Sequence, residues 1–234
     1  MDSPRLHHKL PSPDSIRLLE LTQDETHQSI CGCLVLFKLE DNPSFAALSY
    51  VWGCASPEDP ILKLDGFDLK IRQSLKHALD AIFYGSEKIL LWIDQICIDQ
   101  ENYPERESQV ALMAKIFRQA QRVICWLGRG NRTTKVAFDS VTVLAINESD
   151  PLSWQESKHR LTEAGYVGEG SDLFNTGKFL SSALEVALAS KLEFRCGSSS
   201  IGGNMFFEAI VWISSSVQNH LGYLCSSHFD MLVD

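Results

Sequence analysis

Two short runs, "KILLWID" (88–94) and "RVICWLG" (122–128), place apolar residues at consecutive positions with no polar alternation. A strand of that kind has no face to offer water, so it belongs in a sheet covered on both sides. Between them, "NYPERESQVALMAKIFRQAQ" has helical spacing. Pro104 suits its first turn, and Glu105 and Glu107 suit its positive N-terminus. Val110, Met113, Phe117 and Ala120 make its apolar stripe. Strand, helix and strand in this order form a crossover unit between parallel neighbours, which limits the fold more than any other feature.

The neighbouring segments extend the pattern. "FAALSYVWG" (45–53) reads as a third apolar strand closed by Gly53. "IRQSLKHALDAIF" reads as an amphipathic helix with Leu75, Ala78, Leu79 and Ile82 inward and Arg72, Lys76 and Asp80 outward. "SIRLLEL" (15–21) and "SICGCLVLFKL" (29–39) read as an N-terminal β-hairpin, and "TTKVAFDSVTVLAI" as a further helix. The expectation is an α/β fold: a mainly parallel sheet in three layers, helices on both faces, with the strands near 45–52, 89–94 and 122–127 side by side.

The chain divides by texture. Residues 1–14, with three prolines, read as a flexible lead-in, and 15–147 as the α/β core. Residues 148–176 carry turn residues and charge without periodicity and read as a loop or linker. In 177–234, "FLSSALEVALASK" regains helical character, "LEFRC" reads as a strand and "MFFEAIVWISSSVQ" as a last helix.

Composition narrows the partners. The 234 residues carry a net charge of −9 without a Lys/Arg block, which argues against nucleic acid. No apolar run approaches the ~18 residues of a membrane span, and the first residues lack the apolar stretch of a secretory signal. Seven cysteines, an odd number, sit mostly in apolar runs, and no C-x-x-C occurs. Buried free thiols in a reducing, cytoplasmic setting account for them better than a zinc site at Cys31 and Cys33. No metal and no bound cofactor is expected.

The polar residues that end the apolar runs are the candidate site. In open parallel sheets, ligands sit beyond the carboxyl ends of the strands. Those ends gather Tyr50, Trp52 and Gly53; Asp94 and Gln95 with Asp99 and Gln100; and Gly128 with Arg129. The following helix adds Glu105, Arg106 and Gln109 at the same edge. Asp94 and Arg106 are expected to face each other or a shared ligand. Plainer readings stand beside this one. Asp94 caps a turn, Asp99 caps a short helix, and Arg106 pairs with Asp99 or Glu105 as scaffold. Magnesium or calcium at Asp94, Asp99 and Glu101 lacks the EF-hand glycine and spacing. Cys97 as a nucleophile lacks a nearby histidine.

These residues resemble the fungal heterokaryon incompatibility (HET) domain. The likeness rests on "FAALSYVWG", on "ILKLDG" and above all on "LWIDQICIDQENYPERESQVALMAKIFRQAQRVICWLG" (91–128). The family's third motif, R-x-W-x-x-Q-E, survives only as Glu185, with Leu184 in place of the glutamine and Ser181 in place of the tryptophan. The resemblance implies 177–234 to be a truncated or degenerate end of the domain, and the protein an inactive paralogue if that motif is essential. It otherwise implies fungal non-self recognition and programmed cell death, through protein partners or self-association. The domain is also similar to TIR domains, a flavodoxin-like parallel α/β arrangement, and some of these cleave NAD. On that analogy NAD is a substrate, and Glu105 and Glu185 are the catalytic carboxylates.

Overall fold

A computed structural model describes residues 6–23, 30–83, 88–130, 135, 139, 189 and 191–205. In chain order its elements are β1 (Ser15–Gln23), β2 (Ile30–Lys38), β3 (Ala46–Tyr50), β4 (Ile61–Leu64), β5 (Phe67–Lys70), α1 (Gln73–Phe83), β6 (Ile89–Trp92), α2 (Asp94–Cys97), α3 (Tyr103–Gln119), β7 (Arg122–Trp126), β8 (Leu192–Cys196) and β9 (Ser199–Gly202). A 3₁₀ turn, Leu39–Asp41, leaves β2.

The strands form one sheet in the order β5-β4-β2-β1-β6-β3-β7-β8-β9. Its centre is parallel: β3 lies between β6 and β7, and β8 follows β7 in the same direction. The three apolar segments of the sequence are therefore parallel neighbours. The expected fold class is nevertheless wrong. The sheet is mixed, with four parallel and four antiparallel pairings, and is not the mainly parallel sheet of a three-layer α/β fold. Nor, among the described residues, is there a helix for every strand. The helices described over their full length are α1 with 11 residues, α3 with 17 and the four-residue α2.

Antiparallel hairpins cause the difference. β1 and β2 pair along nine residues, and β1 also pairs antiparallel with β6, which sets the N-terminal hairpin inside the sheet. β4 and β5 are joined through Asp65-Gly66, whose φ values of 50° and 80° are those of a tight two-residue hairpin turn. Asp-Gly between alternating residues is a strong hairpin signal that a search for crossover units passes over. The same turn braces β2: Asp65 N–H donates to the Gly32 carbonyl (3.0 Å), and Leu34 N–H donates to Asp65 Oδ2 (2.8 Å). Gly32 is required by close approach, since a Cβ there would lie 2.6 Å from the Glu20 carbonyl oxygen.

The core follows the predicted apolar spacing with one shift. Leu75, Ala78, Leu79 and Ile82 of α1 are all buried, and Trp92 of β6 meets Phe117 of α3 edge-on at 5.4 Å. On α3 the seam runs through Gln109, Ile116, Phe117 and Ala120, and Val110, expected inside, is 54% exposed. Gln109 takes the inward place because its Nε2 donates to the Ser15 carbonyl of β1 (3.0 Å). Before β1, Leu6 packs against the core and His7 Nε2 lies 2.8 Å from the Ile96 carbonyl. The further helices and linker expected over 133–146, 148–189 and 206–234 lie outside the described residues, apart from the isolated positions 135, 139 and 189.

Candidate functional site at the carboxyl edge of the parallel strands

β6, β3 and β7 run the same way, so their last residues and the loops that follow share one edge of the sheet. β3 delivers Tyr50 and, two residues on, Trp52. β6 delivers Asp94 and Gln95. The two strands are joined by side chains across that edge. Tyr50 Oη donates to Gln95 Oε1 at 2.6 Å, and Trp52 Nε1 lies 3.1 Å from both Asp94 carboxylate oxygens. All four residues are partly exposed.

Local structure holds this cluster in place. Asp94 opens α2, and its Oδ1 accepts the Gln95 N–H at 2.7 Å while its carbonyl accepts Gln100 Nε2 at 2.7 Å. Ser74, at the start of α1, donates its hydroxyl to the Trp52 carbonyl (3.0 Å). Burial, reinforced by the Asp94 charge, pushes the Tyr50 hydroxyl above its ordinary pKa, so it stays a neutral donor. The arrangement is a hydrogen-bonding patch of an indole, a phenol, a carboxylate and an amide. It can meet a polar ligand or a protein surface, since each ring presents an apolar body with a polar tip.

A second cluster forms around Glu105. Arg17 of β1 grips its carboxylate with both terminal nitrogens, Nη1–Oε1 at 2.5 Å and Nη2–Oε2 at 3.0 Å. Arg17 also donates to the carbonyls of Cys97 (3.1 Å) and His8, and Asp99 N–H donates to Glu105 Oε1 (3.0 Å). Burial alone would raise the Glu105 pKa. The Arg17 hydrogen bonds, the Asp99 N–H and the Arg17 charge outweigh it and hold the carboxyl below its ordinary value. With both oxygens engaged, this is the geometry of a scaffold carboxylate.

The remaining candidates separate from these clusters. Arg106 is exposed, with its guanidinium over the Tyr103 ring at 4.7 Å, and Trp52 is the residue seen against Asp94. Gln109 is in the core. Gly53 and Gly128 have φ of 76° and 119° and turn the chain after β3 and β7. Cys97 is fully buried, and burial pushes its thiol up to about 12, which leaves almost no thiolate at neutral pH. Glu185, Leu184 and Ser181 lie outside the described residues.

Sequence reasoning missed two organisers. Asn102 is the N-cap of α3, its side-chain oxygen accepting Glu105 N–H at 3.3 Å. Asn102 followed three residues later by Glu105 is a capping signal present in the sequence. Arg17 left no such signal, because its partner stands 88 positions away.

Comparison with known proteins gives two results. The family model described as "Heterokaryon incompatibility protein (HET)" matches residues 45–195. The chain is also 29% identical over 185 residues to heterokaryon incompatibility protein 6, OR allele, of Neurospora crassa. That match covers 73% of this chain and 27% of the relative, so the chain spans about a quarter of the relative's length. No solved structure matches it. Among the described residues no helix is long and apolar enough to cross a membrane, which says nothing of a β-barrel.

Proposed function

Because the chain belongs to the heterokaryon incompatibility family, we propose that it is a fungal non-self-recognition module whose engagement leads to programmed cell death. It acts in the cytoplasm, by docking a protein partner or a second copy at the Tyr50, Trp52, Asp94 and Gln95 patch. The observation that carries this reading is that these four residues, drawn from two strands, are bonded to one another at one edge within the family-matched region. A half-exposed aromatic and amide patch suits a recognition surface, where tyrosine and tryptophan serve as anchors.

Cleavage of NAD is the competing reading. It needs a carboxylate that can face an oxocarbenium-like centre. Glu105 is bound on both oxygens by Arg17 and by the Asp99 N–H, which favours recognition over chemistry at that residue.

The test is expression in a fungal host with hyphal viability as the readout, alongside incubation of the purified chain with NAD. The wild-type chain is expected to kill weakly or not at all, Ser181→Trp with Leu184→Gln to raise killing by restoring the third motif, and Trp52→Phe in that background to abolish it, with no free nicotinamide released. Killing unchanged by Trp52→Phe in that background would remove the patch from the mechanism. Nicotinamide release by the pure chain would establish the enzymatic reading instead.

A further inference from the structure

The opposite edge of the parallel strands carries a feature that the recognition patch does not use. Where β3, β6, β7 and β8 begin, the chain leaves a recess of about 660 Å³ lined by Lys88, Arg122 and Lys191 together with Phe45, Ile89 and Leu90. Among the described residues no carboxylate lines it. The three cations come from separated segments that only the strand order brings together. We propose that this recess binds a small organophosphate, its phosphoryl group held by Lys88, Arg122 and Lys191 and its body resting on Phe45, Ile89 and Leu90.

Charge supports an anion. Lys88 pairs with Glu20 at 2.7 Å, while Glu193 is shared by Arg122 (3.2 Å) and Arg195 (3.0 Å). Lys191 has no carboxylate partner among the described residues. Among the described residues the three cations of the recess thus meet two carboxylates, Glu20 and Glu193, and Lys191 is left as positive charge on a chain whose net charge is −9. A planar guanidinium matches phosphoryl geometry, and the two ammonium groups add point charge without demanding direction. Size supports a small molecule: the volume falls within the roughly 300–1,000 Å³ of ordinary ligand pockets. The apolar floor favours an organic phosphate over the bare ion.

Titration calorimetry of the full chain with phenyl phosphate, inorganic phosphate and phenol tests this. Phenyl phosphate is expected to bind more tightly than inorganic phosphate, phenol not at all, and added salt to weaken both anions. The double variant Lys88→Ala with Lys191→Ala should lose about tenfold or more in affinity. Lys63→Ala, whose lysine pairs with Asp68 on the β4–β5 hairpin, should change nothing. Both substituted lysines are exposed, and circular dichroism checks that the double variant is folded. The proposal is overturned by no heat from either anion at roughly 10 mM, by phenol binding as tightly as phenyl phosphate, or by unchanged affinity in the folded double variant. A polyglutamate peptide binding where phenyl phosphate does not would also overturn it, and would make the recess a protein-docking site.

Discussion

Arg17 of β1 and Glu105 in the first turn of α3 form a two-pronged ion pair with side chains only 2% and 8% exposed. The pair also ties β1 to the Cys97 carbonyl and, through Asp99 N–H, to the loop before α3. Removing one partner strands the other charge in the interior. Glu105→Ala should therefore cost about 3–5 kcal/mol in chemical denaturation. Replacing both residues, Arg17→Met with Glu105→Leu, should cost less than Glu105→Ala alone, because no charge is left behind. A loss below about 1 kcal/mol for Glu105→Ala would return this carboxylate to the list of site residues.

The same pair sets an acid limit. Glu105 has a folded pKa held below its unfolded value, so its contribution is fully present above the unfolded carboxylate pKa and is lost as pH falls through the folded one. Asp59, lowered by the Ser56 N–H and by Arg72, acts in the same direction. Stability measured from neutral pH downward should be level until the ordinary glutamate range and then decline. In Glu105→Gln the curve should start lower and fall less steeply below that range. An identical slope in wild type and variant would show that the pair does not control acid unfolding.

Gly32 predicts a local failure of the hairpin. An added Cβ would meet the Glu20 carbonyl, which is backbone within a nine-residue ladder and cannot swing aside. Gly32→Ala should cost about 1–3 kcal/mol as an overpacking change. Alanine tolerated without loss would mean that β1 and β2 stand further apart than described.

The register of α3 gives a paired test. Val110 faces solvent and Ile116 is fully buried. Val110→Lys should leave stability within about 0.5 kcal/mol, whereas Ile116→Ala should cost about 2–5 kcal/mol. The reverse ranking would restore the seam expected from sequence.

What the sequence made legible was local. Runs of apolar residues located β3, β6 and β7, and their shared direction followed from the crossover helix α3. The spacing of Leu75, Ala78, Leu79 and Ile82 gave the buried face of α1. What stayed hidden depended on partners far along the chain. The antiparallel contact of β1 with β6 joins residues about seventy positions apart, so no pattern within either strand announces it. Gln109 looked like a surface residue because its acceptor, the Ser15 carbonyl, lies 94 positions earlier. Asp65-Gly66 is different: its hairpin signal is local, two residues of positive φ between β4 and β5. At the candidate site, the strand ends place Tyr50, Trp52 and Asp94 at one edge, but Asp94, expected to face Arg106, meets Trp52 instead.

That contact makes the most direct test of the recognition patch. Trp52→Phe keeps an aromatic ring but removes the indole N–H that reaches both Asp94 oxygens, together with the five-membered ring that carries it. Asp94→Asn removes the charge but keeps Oδ1, which accepts the Gln95 N–H at the start of α2. Both residues are partly exposed, so water can replace the lost bond, and each change should cost only about 1 kcal/mol. If the patch is a docking surface, the melting temperature should move by a few degrees, while hyphal killing in the restored-motif background and partner or self-association fall away together. If instead the contact serves only to hold β3 against α2, killing should fall only in step with the loss of folded protein. A milder pair, Tyr50→Phe with Gln95→Leu, separates the cases further. It deletes the 2.6 Å hydrogen bond with little change in shape, and it should abolish association while leaving the melt nearly unaltered. Retained association in that variant, with the protein folded, would assign the patch to scaffold.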